Sequence, residues 1–371
     1  MDGLALLSVE QKEQFLRDGI LVVDDILSQS EVEEAKKGLE ETLKLNGVNN
    51  ESLLTGTPED EDSARALQQL STTNGSGGVL DIFYEDWKLD ICQNENLFRI
   101  TTELWEAAYA CSEGEGERSS CLWWQQHPYG SFDCKKGYIY IDRICYRLPT
   151  KIAEKLGDKI NSDKKKRLRK IQRSLTPHLD CCPDKLFQNA AKWRPIQCFV
   201  SLTDNLEANT GGFEAAKGFH REFLDWVKNR RPTIVKGGSS TKSAISPPCV
   251  GEYTHIRPKE DRDVMERICH IPIHAGSAVF WDNRIPHSNA YKHMGTSPRC
   301  VVYCSFLPDV ELNRSYVTNQ CIKFKTKKPV TDQWNQPKTE NEMCEGSGQI
   351  KKQHYTFTSL GRKLMGIDPW V

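Results

Sequence analysis

The spacing of hydrophobic and polar residues differs between the two halves of the chain. In the N-terminal part apolar residues recur at helical spacing: Ser8 begins a capping box for a short helix that ends at Gly19. Residues 20–23 are apolar throughout and predict a short strand, whereas residues 31–45 and 90–111 predict longer helices. This part of the chain is therefore expected to be helical around one strand.

The second half of the chain contains segments typical of strands. Residues 138–147 alternate between apolar and polar side chains, and residues 196–203, 271–281 and 300–307 are apolar runs bounded by Pro, Gly or Asn. Together with the helices, these segments predict an α+β protein that is mainly β with flanking helices.

One catalytic domain is predicted to take up residues 1–371, because no linker separates two apolar cores. Residues 46–78 hold few apolar side chains and end in a glycine-rich run, so they are predicted to be a mobile insertion. The other parts are a lead-in over residues 1–45, a core over 79–310, and an extension over 311–371 whose last apolar residues pack back.

Composition narrows the choice of partners. The 371 residues carry 50 Lys+Arg against 51 Asp+Glu, a net charge of −1, which argues against binding to nucleic acid or anionic membranes by bulk charge. No apolar run is long enough for a membrane span. The basic run at residues 151–173 favours a solvated face or loop, with a patch for an anionic partner as the alternative.

The cysteines indicate the compartment. Fourteen cysteines are scattered without any C-x-x-C pair, and the N-terminus lacks the pattern of a secretory signal. We therefore expect reduced thiols and a cytoplasmic protein, with disulfides as the alternative. The sequence assigns no oligomeric state.

One His-x-Asp pair has the spacing of a metal site. His178 and Asp180 follow a proline, and on a strand positions i and i+2 face the same side, so both side chains could reach one ion. A second pair, His220 and Glu222, lies among apolar residues at helical spacing, where i and i+2 diverge. The first pair therefore predicts two ligands of a 2-His-1-carboxylate iron site.

The third ligand is predicted to be His287, which follows the apolar run that ends at Trp281 and a turn-like Asp282-Asn283. A Gly-containing turn after His287 suggests a hairpin that would place Arg299 on the neighbouring strand. An arginine there could bind the distal carboxylate of a 2-oxo dicarboxylic acid bidentately.

These motifs resemble the phytanoyl-CoA dioxygenase-like family of Fe(II)/2-oxoglutarate-dependent oxygenases. Residues 15–23 are similar to its N-terminal F-x-x-D-G-hydrophobic signature, and residues 209–213 and 217–220 resemble its Asn-Gly and Pro-Gly-Ser-His segments. The distal histidine segment, from residue 275 through residues 287–289, resembles its last ligand region.

That resemblance implies a double-stranded β-helix (jelly-roll, cupin-like) core. It also implies Fe(II) on His178, Asp180 and His287, with 2-oxoglutarate on Arg299, O2 as second cosubstrate and ascorbate as an optional reductant. Asn289 stands where the family has a small hydroxyl residue and could donate to the same carboxylate. Because an acidic ligand is present, hydroxylation or another C–H oxidation is favoured over halogenation, with succinate and CO2 as coproducts.

The substrate is expected to be a small polar or carboxylated metabolite. Gln197 is expected to line the barrel near 2-oxoglutarate, and the candidate pocket residues are Tyr138, Tyr140, Arg143, Trp193, Arg194 and Trp281. Each of these could instead be a core aromatic or a surface cation. Two alternatives stand beside this hypothesis: an oxygenase acting on a protein or nucleic acid that contacts residues 164–173, and a non-catalytic jelly-roll binding protein.

Overall fold

A computed structural model describes residues 5–56, 60–73, 75–109, 127, 129–160, 171–183, 190–230, 233–235, 244–246, 253–328 and 355–370. The α-helices of these residues are α1 (Val9–Asp18), α2 (Gln29–Leu45), α3 (Asn50–Thr55), α4 (Asp60–Gln69), α5 (Asp86–Cys92), α6 (Glu95–Tyr109), α7 (Thr150–Ile160), α8 (Phe223–Asn229), α9 (Arg262–Arg267), α10 (Glu311–Lys325) and α11 (Ser359–Leu364). The strands are β1 (Ile20–Val23), β2 (Val79–Leu80), β3 (Gly137–Arg147), β4 (His178–Leu179), β5 (Ile196–Ser201), β6 (Phe213–Ala216), β7 (Thr233–Val235), β8 (Ala244–Ser246), β9 (Thr254–His255), β10 (Ile268–His270), β11 (Ala278–Asp282), β12 (His287–Asn289) and β13 (Arg299–Pro308).

Two antiparallel sheets organise the fold. A six-stranded sheet has the order β1-β11-β5-β13-β3-β2, and a five-stranded sheet has the order β10-β6-β12-β4-β9, while β7 and β8 pair separately. The α+β prediction is therefore confirmed. The expectation of a mainly β protein is wrong, because helices hold more of the described residues than strands do.

The lead-in folds as its capping pattern predicts. Ser8 forms the capping box of α1, and Gly19 ends that helix with a left-handed φ of 68°. The chain then enters β1, in which Ile20 pairs with Trp281 of β11. A second capping box at Ser28 starts α2. Local hydrogen bonding of the caps thus determines where these elements begin.

The segment predicted as an insertion is not structureless. Within residues 46–78, α3 and α4 bury Leu53, Ala64 and Leu67 in the largest hydrophobic cluster. The Asp60 carboxylate forms an ion pair with Lys159 of α7, with an N–O distance of 2.5 Å. The few apolar residues of this segment are enough to anchor it because they fall on the inner faces of two short helices. Its mobility without ligand stays a prediction.

Three of the four strand predictions are confirmed by β3, β5 and β13. The prediction over residues 271–281 is wrong in its first half, where only Ala278–Asp282 is a strand. Pro272 interrupts the segment because it has no N–H to donate. Gly276 bends it with a φ of 85°, and a Cβ there would lie 2.6 Å from the carbonyl oxygen of Leu27.

The C-terminal residues 355–370 pack back onto the core. Phe357, Leu364 and Met365 are buried in the largest cluster, and the Trp370 ring stacks on Phe98 with centroids 5.6 Å apart. The Trp370 indole N–H donates to the carbonyl oxygen of Gly137 at 2.8 Å. This contact ties the end of the chain to the start of β3.

Cysteine pairing differs from the expectation at one position. Nine cysteines of the described segments are free thiols, but Cys182 is disulfide-bonded. The prediction of reduced thiols throughout is therefore wrong at Cys182. None of the described helices is both long and apolar enough to cross a membrane.

Candidate metal centre

The five-stranded sheet brings His178, Asp180 and His287 together. His178 in β4 is the direct antiparallel partner of His287 in β12, and Asp180 follows β4 by one residue. The Nε2 atoms of both imidazoles lie 3.5 Å from the Asp180 carboxylate, each facing a different oxygen. One ligand atom from each residue lies within 4.8 Å of the other two. The triad is thus close enough to share one ion.

Backbone contacts orient both imidazoles in the same way. The Nδ1 atom of His178 lies 2.8 Å from the carbonyl oxygen of Thr176, and that of His287 lies 2.9 Å from the carbonyl oxygen of Ile285. A carbonyl oxygen only accepts, so Nδ1 carries the proton in each neutral ring. This tautomer leaves each Nε2, on the side of Asp180, with the lone pair that a metal ligand needs, whereas a protonated Nε2 hydrogen-bonds the Asp180 carboxylate instead.

The charge state of the triad also suits a cation. Desolvation acts to raise the pKa of Asp180, but hydrogen bonds and charge interactions with His178 and His287 outweigh it and hold this pKa well below its ordinary value. Burial lowers the pKa of His287, and the nearby His178 lowers it further. A carboxylate and a neutral imidazole are the forms that coordinate metals.

A cavity of about 860 Å³ opens in front of the triad. Tyr253 forms part of its wall and stacks on His178, with ring centroids 4.5 Å apart and an interplanar angle of 20°. The side chain of Asp180 is 26% exposed. The triad is therefore reachable by a small molecule while most of its surroundings exclude bulk water.

Arg299 lies on the opposite sheet and contacts Asn289, which lines the cavity, but it is not itself a lining residue. The hairpin prediction is wrong: β12 pairs with β4 and β6, whereas β13, which begins at Arg299, pairs with β3 and β5. The Arg299 Nη1 nevertheless donates to Oδ1 of Asn289 at 3.1 Å across the gap between the sheets. Within the described chain its Nε and Nη2 atoms are buried and have no hydrogen-bond partner.

Asn289 holds Arg299 in place. Its amide accepts from Arg299 and donates through Nδ2 to the carbonyl oxygen of Gly77 at 3.3 Å. Gly77 has a φ of +63°, and a Cβ there would lie only 2.9 Å from that Nδ2. Both the turn and the close approach therefore require glycine. The geometry makes Asn289 a support for the arginine, in addition to its expected role at the carboxylate.

Two further buried donors face the cavity. Gln197 of β5 and Trp281 of β11 are register partners and both form part of the cavity wall. Neither the Gln197 Nε2 nor the Trp281 Nε1 has a hydrogen-bond partner among the residues described. Because unpaired buried donors are costly, this wall is complementary to a ligand rich in acceptor atoms.

The candidate pocket residues divide into two groups. Tyr140, Arg143 and Arg194 line the cavity with Trp281, and the guanidinium of Arg194 lies 4.4 Å from the centre of the Tyr140 ring. Both cations have carboxylate neighbours: Arg143 pairs with Asp81 at 2.6 Å, and Arg194 pairs with Asp142 at 3.2 Å.

Tyr138 and Trp193 do not line the cavity, so their prediction as pocket residues is wrong. Tyr138 lies at the start of β3, nine residues or roughly 30 Å of strand from Arg147, and its hydroxyl donates to Asp309. Trp193 is buried in the main core, where its ring lies 4.3 Å from that of His127. The Tyr138 hydroxyl is held by Asp309, although Tyr140 two residues further along the strand lines the cavity, and Trp193 packs in the core.

His220 lies outside the triad, as its helical spacing predicts. It belongs to a short 3₁₀ helix, Phe219–Arg221, and its Nε2 lies 3.1 Å from the carbonyl oxygen of Leu16. Sequence reasoning missed Arg147 and Tyr253, which line the cavity. A charged residue that ends an apolar strand was the available signal for Arg147, whereas nothing in the sequence marks Tyr253.

Comparisons with known proteins identify one matching family model and several structures with a similar fold. A family model described as Gig2-like matches residues 234–367, and no curated protein matches the chain. The crystal structure of GlcNAc Inducible Gene 2 from Candida albicans is similar with a TM-score of 0.66 at 15% identity, covering 100% of this chain and 78% of that chain.

Two bacterial structures are also similar. A hypothetical protein from Escherichia coli has a TM-score of 0.63 at 14% identity, covering 97% of this chain and 82% of that chain. A protein from Salmonella typhimurium LT2 has a TM-score of 0.55 at 13% identity, covering 97% and 83%. These similarities establish a shared fold, the Gig2-like model matches the C-terminal part of the chain, and neither finding supports the phytanoyl-CoA dioxygenase-like family specifically.

Proposed function

We propose that this protein is a non-haem Fe(II)- and 2-oxoglutarate-dependent dioxygenase that oxidises a C–H bond of a small molecule. The observation that carries the proposal is the His178–Asp180–His287 triad, which lines one cavity together with Asn289, the residue that contacts a buried arginine with unpaired donors. The two sheets would then be the two halves of a double-stranded β-helix.

The donor set fits iron. Two neutral imidazoles and one carboxylate form a three-ligand set that leaves coordination positions open, which is typical of non-haem Fe(II) oxygenases. His178, Asp180 and His287 would hold the ion, and the carbonyl oxygens of Thr176 and Ile285 would keep the imidazoles oriented. The chemistry that iron supplies at such a site is oxidation of a C–H bond coupled to conversion of 2-oxoglutarate to succinate and CO2.

The opposite wall fits 2-oxoglutarate. Asn289, which accepts from Arg299, lies two residues beyond His287 on β12, a strand distance of roughly 7 Å that suits a short dicarboxylic acid. The unpaired Nε and Nη2 of Arg299 form the edge of a guanidinium that binds a carboxylate bidentately. Gln197 and Trp281 offer further donors to the bound acids.

A small-molecule substrate is supported by the dimensions of the cavity. Its volume of about 860 Å³ falls within the range typical of small-ligand sites. The macromolecular alternative depends on residues 164–173, most of which lie outside the described residues, so no structural observation favours it.

Succinate formation tests the proposal. The protein with Fe(II), 2-oxoglutarate, ascorbate and O2 should release succinate, with turnover increasing when a metabolite extract contains the substrate. His178→Ala should abolish this release, whereas His274→Ala, which removes an exposed imidazole beside Asp204, should not change it. Full turnover in His178→Ala would refute the ligand assignment, and no succinate from the wild type under any of these conditions would refute the function.

A further inference from the structure

A second arginine, Arg147, lies beside Arg299 and lines the cavity. Arg147 ends β3 and is the direct register partner of Arg299 in β13. Side chains of directly paired residues project from the same face of a sheet, and their Cα atoms lie about 5 Å apart. Arg147 is 4% exposed and Arg299 is 2% exposed. The two guanidinium groups are therefore neighbours inside the protein.

This pair differs in its partners from Arg143 and Arg194. Among the described residues neither arginine forms an ion pair, in contrast to Arg143 with Asp81 and Arg194 with Asp142. Burial lowers the pKa of Arg147, and the charge of Arg299 lowers it as well. Two adjacent buried cations repel each other, and an anion placed between them would relieve both the repulsion and the desolvation.

Glu214 does not serve as that anion. It is close enough to Arg147 to interact with it electrostatically, but burial raises the pKa of Glu214 and its side chain hydrogen-bonds Ser288 instead. The Nη2 of Arg147 donates a hydrogen bond to the carbonyl oxygen of Tyr291 at 2.9 Å. Within the described chain, Nη1 of Arg147 is buried without a partner.

The unpaired donors of the two arginines match one carboxylate. Arg299 offers Nε and Nη2, which form the bidentate edge of its fork, and Arg147 adds Nη1. Each carboxylate oxygen accepts about two hydrogen bonds, so three N–H groups can bind the same group without competing. Arg147, Asn289 and Tyr303 line the cavity around this point.

We propose that Arg147 and Arg299 together bind the distal carboxylate of 2-oxoglutarate, as a two-arginine clamp in place of a single arginine. This inference rests on the proposed function. It makes Arg147 a binding residue that selects 2-oxo acids with a second carboxylate, since removing that carboxylate would leave two buried cations unneutralised.

Ligand binding, measured without turnover, tests the clamp. Calorimetry and ligand-induced shifts of the unfolding temperature would be recorded for the Mn(II)-loaded protein under anaerobic conditions with two ligands. These are 2-oxoglutarate and 2-oxobutyrate, which has the same oxo acid end but no second carboxylate. Arg147→Gln removes one charge-assisted hydrogen bond and should weaken 2-oxoglutarate binding by about tenfold to about a hundredfold. Binding of 2-oxobutyrate should change by less than about twofold, because this ligand lacks the group that the clamp holds.

Two further variants keep the test decisive. Arg262→Gln removes an exposed cation of α9 that pairs with Glu266 and does not line the cavity, and it should leave the affinity for 2-oxoglutarate nearly unchanged. Arg147→Lys keeps the charge without the fork and should give an intermediate loss, which covers the case in which Arg147→Gln does not fold.

The outcomes separate this inference from the function on which it rests. Unchanged 2-oxoglutarate affinity in both Arg147 variants, or an equal loss for both ligands, would overturn the clamp while wild-type binding still supported the function. No binding of 2-oxoglutarate by the metal-loaded wild type would instead refute the proposed function, and the clamp with it.

Discussion

Replacing Arg299 with alanine is the most direct test of how the cavity binds a dicarboxylic acid. Two of the donors of Arg299, Nε and Nη2, have no partner in the described protein, so a ligand carboxylate would satisfy both. Each hydrogen bond to a charged group contributes about 1.5–3 kcal/mol. Loss of both bonds should therefore cost about 3–6 kcal/mol, which raises the Kd for 2-oxoglutarate roughly a hundredfold to ten-thousandfold.

Metal affinity should change little in the same variant. Arg299 hydrogen-bonds Asn289 and Cys145 but none of His178, Asp180 and His287. We therefore expect Mn(II) affinity within about threefold of the wild type, because Arg299 contacts neither the three ligands nor the carbonyl oxygens of Thr176 and Ile285 that orient the imidazoles. Calorimetric titration with Mn(II), followed by titration with 2-oxoglutarate, separates the two effects in one sample.

Arg314→Ala is the matched control for this substitution. Arg314 lies on α10, its side chain is 58% exposed, and it pairs with Asp309, away from the cavity. It should leave both affinities unchanged. If Arg299→Ala kept wild-type affinity for 2-oxoglutarate, the carboxylate would have to bind elsewhere. If metal and 2-oxoglutarate affinities fell together, the substitution would have damaged the triad, and the assignment of Arg299 would lose its support.

Three other substitutions test the surroundings of the site. Gly77→Ala should destabilise the protein by about 1–2 kcal/mol and weaken 2-oxoglutarate binding, since its Cβ would displace Asn289. The control is Gly130→Ala: Gly130 has a similar φ of +74°, but a Cβ there would meet nothing within 4 Å, so this variant should show only the cost of backbone strain. Trp281→Phe should lower the unfolding free energy in urea by about 1–3 kcal/mol, because it removes part of a buried ring that packs on Phe199 and Phe213; an unchanged free energy would contradict that packing. Burial lowers the pKa of His220 from 6.5 to about 4, so the unfolded chain takes up this proton first as the pH falls. Stability should therefore drop by about 3 kcal/mol between pH 6.5 and 4, and His220→Gln should flatten that decline in urea titrations; an unchanged slope would exclude His220 as its source.

Local interactions along the chain were enough to predict many elements and part of the site. Capping residues and hydrophobic period identified α1, α2, β3, β5 and β13, because hydrogen bonds between near neighbours and alternating burial determine them. The pair of His178 and Asp180 was also predictable, since a strand places positions i and i+2 on one side. Low apolar content misled the prediction for residues 46–78, where three well-placed apolar side chains suffice to anchor two helices.

Only the tertiary structure decided what surrounds that pair. Strand order depends on contacts between distant segments, so the sequence could suggest that Arg299 approaches His287 but wrongly placed the two on one hairpin. The arginine comes from the opposite sheet, beside Arg147, and its orientation depends on Asn289 and Gly77. The sequence alone therefore identified the residues that could bind a metal. Packing of the two sheets determined that Arg147 and Arg299 lie together without an ion-pair partner among the described residues, which is why we propose them for binding 2-oxoglutarate.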